Sequence, residues 1–355
     1  DVLPDKYGNA LINQWLIRNK RAPNSINPVE TLCFIGNRGM GALEFEPTIP
    51  KAENKALKLE LAELVDISAK ILNGRQEFLS HLNDDEEKAM QSILKIGTSA
   101  GGARAKALIT YNEQTKEVRS GQASAPKGFE HYLIKFDGVY DEQFGSSQGY
   151  GRVEMAYYKM ALEAGIHMME SRLLFENDRA HFMTKRFDRK EGSEKLHVQT
   201  FCALRHFDFQ DIGLFSYEQL FETMRMLGLP YPQAEQLFRR MCFNVMARNC
   251  DDHTKNFAFC LNQNGEWSLS PAYDICHAYR PNSLWVSQHC LSVNGKRQGI
   301  GRDDLFTIAR QMNIKKPKQI IDQISQTLAN WSNFADEQGV DPDLATSINS
   351  TLLIL

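Results

Sequence analysis

Asp251, Asp252, His253, Lys255 and Asn256 fall within six consecutive positions, and a further carboxylate, Asp274, follows Asn256 by eighteen residues in the string Ser270-Pro271-Ala272-Tyr273-Asp274-Ile275. Phosphoryl transfer from ATP needs such a set: one Asp to orient and deprotonate the acceptor hydroxyl, and an Asn with a second Asp to hold Mg2+ on the phosphates. Five positions separate Asp251 from Asn256, the base-to-ligand spacing of a phosphoryl-transfer loop, so Asp251 rather than Asp252 is the candidate base. Asn256 and Asp274 supply the hard oxygens that suit Mg2+. Plainer roles stand beside these: loop caps for the two Asp residues, a turn-stabilising amide for Asn256, a helix N-cap for Asp274. His253 is either a structural hydrogen bonder or a phosphate contact. Lys255 is placed to offset the charge of the transferred group.

The elements around these residues must bring them together. Pro232 starts a helix with Leu237, Met241, Val245 and Met246 on one face, which delivers the chain into Arg248–Asn256. Phe257-Ala258-Phe259 and Trp267-Ser268-Leu269 read as a hairpin around Asn264-Gly265, which folds the gap back and sets Asp274 beside Asn256. Ser216-Tyr217-Glu218-Gln219 is a capping box for a helix stopped by Gly228 and Pro230. Residues 303–312 and 317–335 are expected as closing helices, with Lys315-Lys316-Pro317-Lys318 either a solvated helix start or a local basic patch.

The first half reads differently. A strand pair is expected over 30–47, a helix over 52–72 through Leu57, Leu61, Leu64, Val65 and Leu72, and a solvated link at Asn83-Asp84-Asp85-Glu86-Glu87. Strands follow at 107–111 and 131–136 around an exposed polar loop over 112–128, then a helix over 153–164 and strands over 170–175 and 180–185. Ser99, Gly101, Gly102, Ala103, Arg104, Ala105 and Lys106 belong to a small-residue stretch whose backbone N–H groups can approach phosphate oxygens. It lacks the Gly-Lys-Ser/Thr of a Walker A. Lys135 sits on the apolar strand Tyr132-Leu133-Ile134-Lys135-Phe136. A buried ammonium needs an anion, which nucleotide phosphate and Glu154 would supply; the alternative is a surface lysine on an edge strand.

Together these stretches carry a resemblance. Asp251-Asp252-His253-Thr254-Lys255-Asn256 resembles the catalytic loop of the HipA family of Ser/Thr kinases, toxins of bacterial toxin–antitoxin pairs. Leu3-Pro4-Asp5-Lys6-Tyr7-Gly8-Asn9, the Gly97–Lys106 loop, Leu133-Ile134-Lys135-Phe136 and Arg186-Phe187-Asp188-Arg189 resemble its other motifs in the same order, over roughly residues 3–280. The resemblance implies an α+β, two-lobed protein-kinase-like fold, with an N-lobe over 1–186 and a mainly helical C-lobe over 187–355. It implies ATP and Mg2+, with His253, Lys255 and Tyr273 near the nucleotide, backbone groups of Lys185 and Arg186 on the base edge, and Phe187 on adenine or else in the core. It implies autophosphorylation of Ser99, with Thr98 as a competing site; nearly two added negative charges there would repel ATP phosphates and switch the kinase off. A HipB-like helix-turn-helix antitoxin, operator DNA through that antitoxin, and a protein substrate such as glutamyl-tRNA synthetase are the implied partners. Three departures stand out. No Asp-Phe-Gly is present, Asp252 stands where relatives often have a small residue, and Lys185 stands where they commonly carry Glu. A catalytically silent kinase-like module that binds nucleotide and an antitoxin is the alternative, and a small-molecule phosphotransferase a third reading.

Bulk composition bounds the rest. A chain of 355 residues with 42% hydrophobic and 24% charged residues is long enough for two packed cores. A net charge of −3 predicts no global grip on nucleic acid. No apolar run approaches the ~18–20 residues of a membrane span. Seven cysteines without a C-x-x-C pair read as reduced thiols of a cytoplasmic protein, not as a zinc site.

Overall fold

The chain divides into two compact units, Asp1–Gly151 with Glu170–His197, and Arg152–Met169 with Val198–Leu355. The computed structural model describes residues 1–49, 58–72, 84–98, 102, 104–121, 124–141, 145–146, 149–190 and 194–355.

The first unit packs helices α1 (Lys6–Arg18), α2 (Pro28–Ile35), α3 (Leu61–Leu72) and α4 (Asp84–Gly97) with strands β1 (Lys106–Tyr111), β2 (Val118–Ser120), β3 (Glu130–Lys135), β6 (Ser171–Glu176) and β7 (Arg179–Lys185); β4 (Tyr140–Asp141) and β5 (Gly145–Ser146) form a small ribbon between them in sequence. The antiparallel sheet runs β2-β1-β3-β7-β6. Leu11 of α1, Leu64 of α3 and Ile93 of α4 join Ile109, Ile134 and Met183 of the sheet in one apolar core. Helical and alternating apolar spacings thus meet on one side of the sheet.

Three local expectations fail here. The strand pair expected over 30–47 is instead α2: Asn27 accepts from the Glu30 N–H while Glu30 accepts from Asn27, and Pro28 occupies the first turn. That capping box outweighs the apolar–Gly alternation. The acidic stretch after Asn83 is the first turn of α4, where negative charge suits the helix dipole. The loop over 112–128 contains β2, because Asn112 accepts from the N–H groups of Gln114 and Thr115 and turns the chain back. Leu57 lies outside the described residues.

Gly8 shows what the early motif is for. A Cβ there would lie 2.6 Å from the Pro4 Cβ and 2.7 Å from the Thr98 carbonyl oxygen. The motif therefore packs directly on the root of the small-residue loop, and the Asp5 carboxylate accepts from the Gly102 N–H at 2.8 Å. Gly8→Ala should lower stability by about 1–3 kcal/mol, the usual cost of overpacking. Urea unfolding against the unaltered chain checks it; equal midpoints would refute this packing.

The second unit is mainly helical. Helix α5 (Tyr150–Glu163), most of which belongs to this unit, is followed after β6 and β7 by β8 (His197–Thr200), α6 (Phe201–Leu204), α7 (Tyr217–Met226), α8 (Tyr231–Met246), β9 (Ala258–Leu261), β10 (Trp267–Leu269), α9 (Arg302–Gln311), α10 (Pro317–Ala329), α11 (Trp331–Glu337) and α12 (Pro342–Asn349). The expected capping box at Ser216 forms, and Pro232 opens α8. The closing helix expected over 317–335 is broken at Asn330, which caps α10 and starts α11. Val153 and Tyr157, Leu220, Leu237, Met241 and Ile324 share one core.

Candidate active site

Helix α8 ends at Met246, and the Tyr157 hydroxyl donates to the Ala247 carbonyl just beyond it. Arg248 then adopts φ 57° and turns the chain into the loop. Such left-handed geometry costs a non-glycine residue about 1–2 kcal/mol; the Arg248 guanidinium lies 3.6 Å from the Tyr279 ring centroid. The Cys250 N–H donates to the Ala278 carbonyl and the Ala278 N–H to the Arg248 carbonyl. The loop and the chain after Asp274 therefore run side by side.

The hairpin expected between them is present: β9 pairs with β10 antiparallel, with Gly265 at φ 80° in the turn. It returns the chain to Asp274, itself at φ 52°. Two hydrogen bonds lock the return. The Asn249 amide donates to the Asp274 carbonyl at 3.3 Å, and the Tyr273 hydroxyl to the Lys255 carbonyl at 2.7 Å. Strained backbone at both ends of such a constellation is held only where its surroundings over-determine it. Tyr273, expected near the nucleotide, has its hydroxyl engaged in this brace.

The two neighbouring carboxylates have opposite environments. Asp252 is fully buried with both oxygens engaged: its Oδ2 accepts from the Tyr217 hydroxyl at 2.8 Å and from His289 Nδ1 at 2.9 Å, and its Oδ1 from the Cys290 N–H at 2.8 Å. A chain of amides continues outward, Asn249 to Asn244 to the Tyr217 hydroxyl, each at 3.0 Å. Burial alone would push the His289 imidazolium down. The Asp252 charge and hydrogen bond outweigh it and raise His289 to about 10, so the pair is ionic at neutral pH.

Asp251 faces the other way. Its Oδ1 accepts from Trp285 Nε1 at 2.7 Å and lies 4.0 Å from His253 Nε2, and 31% of the side chain remains accessible. The packed surroundings still strip water from the carboxylate and raise its pKa; His253 and the indole hydrogen bond oppose this, and the charges of Asp274 and Asp252 reinforce it. A carboxyl pushed upward among aromatic groups is better matched to taking a proton than an ordinary one.

Asn256 closes the site. Its Nδ2 donates to the Asp251 carbonyl at 2.6 Å, so the amide oxygen is the atom left to ligate. With the Asp274 carboxylate this makes two hard oxygen donors. Mg2+ is commonly held by one or two protein ligands, the rest being water and phosphate oxygens, and the donor set fits it. Among the described residues no cluster of three or more His, Cys, Asp or Glu could hold a metal. Lys255 lies with its ammonium 4.1 Å from the Phe209 ring centroid, and Phe209 also contacts His253 and Trp285 at centroid distances of 5.5 and 6.3 Å.

The first unit holds the remaining candidates. Lys106 and Lys135 are directly opposed across β1 and β3, Lys106 buried and Lys135 half-buried. Ala105 is buried, its carbonyl taken by the Phe136 N–H, and Arg104 stacks on Tyr150 at 4.5 Å. The Gly102 N–H, expected to face phosphate, donates to Asp5. Ser99, Gly101 and Ala103 lie outside the described residues. Thr98 is fully buried with its hydroxyl bonded to the Leu94 carbonyl, so it is no accessible acceptor. The N–H groups of Lys185 and Arg186 donate to the carbonyls of Glu170 and His131, which leaves their carbonyl side for any contact with a base. The Lys185 ammonium pairs with Glu130, an internal role for the residue that departs from the family pattern. Arg186 and Arg189 clamp the buried Asp188, whose third partner is the Gly41 N–H. Phe187 is half-buried and is not part of the three apolar cores among the described residues. Glu154 is buried on α5 in the second unit.

Trp285, Phe209, His289 and Tyr217 escape a reading by motif. They lie 29 to 47 residues from Asp251–Asn256 in either direction, and only the fold joins them.

An α+β chain with a sheet-bearing unit, a helical unit and an Asp–Asn–Asp constellation defines the class of kinase-type folds. The sequence model of the HipA-like C-terminal domain matches residues 98–331, and the chain belongs to that family. A search of curated proteins by sequence finds no significant match. Among solved structures, the HipA–HipB toxin–antitoxin complex with operator DNA from Shewanella oneidensis MR-1 is similar at TM-score 0.63 and 16% identity, over 96% of this chain and 82% of that one. The Helicobacter pylori proinflammatory kinase CtkA is similar at TM-score 0.39 and 14% identity, over 63% of this chain and 88% of that one. No helix among the described residues is long and apolar enough to cross a membrane.

Proposed function

We propose that the chain is an ATP- and Mg2+-dependent Ser/Thr protein kinase, the toxin of a toxin–antitoxin pair. The observation that carries this reading is the division of labour in the loop. Asp252 is consumed by a buried network, while Asp251 stays accessible beside Asn256 and Asp274. Asp251 takes the acceptor proton. Asn256 and Asp274 would hold Mg2+, which would neutralise charge on the phosphates. Lys255 and His253 offset charge at the transferred group. On the first unit, Lys106 and Lys135, opposed across β1 and β3, are the proposed phosphate contacts. Phe187, half-buried, is the proposed adenine contact, and Ser99 is the proposed site of autophosphorylation. By analogy with the complex that its Shewanella relative forms, a HipB-like antitoxin and operator DNA are the proposed partners. An aminoacyl-tRNA synthetase, the glutamyl one first, is the proposed target, reached in the cytoplasm.

The test is incubation with γ-labelled ATP and Mg2+, the phosphate being located by mass spectrometry. Label on Ser99 is expected, lost in Asp251→Ala and requiring higher Mg2+ in Asp274→Asn. A folded chain, unphosphorylated at the start, that takes up no label would overturn the kinase reading and leave a module that binds nucleotide or antitoxin.

A further inference from the structure

The indole of Trp285 meets the candidate base, and its own loop is built to hold it there. Ser283 Oγ accepts from the N–H groups of both Trp285 and Val286, each at 3.1 Å. The Ser283 N–H donates to the Arg280 carbonyl at 3.1 Å, and the Arg280 N–H donates back to the Val286 carbonyl at 3.2 Å. The turn is therefore closed on itself at both ends. Val286 is buried, while Leu284 beside it is 99% exposed, so the turn is anchored on one side of Trp285 and open on the other. Phe209 supports the indole edge-on at 6.3 Å and carries the Lys255 ammonium over its face. One aromatic pair thus touches the base, His253 and Lys255 together.

We propose that Trp285 is a positioning residue for phosphoryl transfer: its Nε1–H fixes Asp251 through Oδ1, so that Oδ2 is the oxygen presented to the acceptor hydroxyl. This rests on the kinase reading above. In the step served, the acceptor oxygen bonds to the γ-phosphorus, the bond from that phosphorus to the ADP oxygen breaks, and the hydroxyl proton passes to Asp251 Oδ2. A carboxylate free to rotate about its last torsion would spend much of its time with neither oxygen aimed at the acceptor. A charge-assisted hydrogen bond of this length is a strong restraint on that rotation. Trp285 bonds to Asp251 and shares no hydrogen bond with either proposed Mg2+ ligand among the described residues, so its loss acts first on the acceptor side.

Two measurements separate this from a merely structural tryptophan. Trp285→Phe keeps the ring and removes the N–H. Transfer to Ser99 should slow about 10- to 100-fold, the worth of one hydrogen bond to a charged group, with the ATP KM within twofold. In the 15N-indole NMR spectrum the chain has four tryptophans, and the resonance lost in Trp285→Phe identifies Trp285. That resonance should move upfield in Asp251→Ala while the other three stay. An unmoved resonance shows that the contact is not made in solution, and unchanged kcat in Trp285→Phe shows that it does not matter; either overturns the proposal. If the unaltered chain transfers no phosphate while the indole resonance still responds to Asp251→Ala, the kinase reading has failed and the contact is structural only.

Discussion

Asp251→Asn is expected to slow phosphoryl transfer by about 10²–10⁴-fold, the range for loss of a positioned general base, and to leave the protein folded and no less stable. The second half of this expectation follows from the pKa direction. Asp251 is raised in the fold, first by burial, so at neutral pH the unfolded chain accommodates the ionised carboxylate better than the folded one does. A neutral amide of the same shape removes that disadvantage, and Asn can still accept from Trp285 Nε1. Thermal unfolding of Asp251→Asn should therefore match or slightly exceed the parent. A functional group held against its own stability preference is the common signature of a site selected for chemistry. Transfer rate and melting curve measured on the same preparation decide it. A variant that keeps its rate removes Asp251 from the mechanism. One that loses rate and stability together assigns it a structural part instead.

The loop itself was readable because its chemistry is local. The resemblance of the loop and its spacing, five positions from Asp251 to Asn256, favour Asp251 over Asp252, and the fold adds what spacing does not contain: both Asp252 oxygens are already engaged in a buried network. The hairpin that returns Asp274 was likewise written in Asn264-Gly265 and its apolar flanks. What could not be read was everything joined across long separations. His289 and Trp285 carry no motif, and Tyr217 looked like an ordinary residue in a capping box. Their roles arise from where α7 and the 280–290 segment pack against the loop. At 30–47 the failure was of another kind. Apolar residues interrupted by glycines suit either a strand pair or a short helix, and the deciding signal, the capping box of Asn27 with Glu30 and Pro28 between them, begins before residue 30. At Asp84 a run of like charges suits solvated chain and a helix start equally, because acidic residues are also what a helix N-terminus favours.

Asp252→Ala should do the reverse of Asp251→Asn and cost about 3–5 kcal/mol of stability, the usual penalty for removing one partner of a buried ion pair. Three donors lose their acceptor at once: the Tyr217 hydroxyl, His289 Nδ1 and the Cys290 N–H. The imidazolium has no route to water and must give up its proton. The same pair gives stability a pH dependence of definite sign. His289 is raised to about 10 from an ordinary 6.5, so its contribution is fully present below about pH 6.5 and is lost as pH rises from there through about 10. The buried thiols Cys242 and Cys290 are raised as well, chiefly by burial, and they too withdraw stability, but only above the ordinary thiol range. Urea unfolding of the parent and of His289→Gln between pH 6 and 9 separates the two. Gln can still donate to Asp252 but cannot titrate, so the variant shows only the rise that the buried neutral histidines His131, His181 and His277, each lowered to about 4, give both chains as pH passes the ordinary 6.5, while the parent loses ground to it by at most about 1.4 kcal/mol per pH unit. Parallel curves would mean that His289 is neutral in the fold. The Asp252 network would then be held by hydrogen bonds to a neutral imidazole, and the loop that carries Asp251 would rest on a weaker brace than the geometry implies.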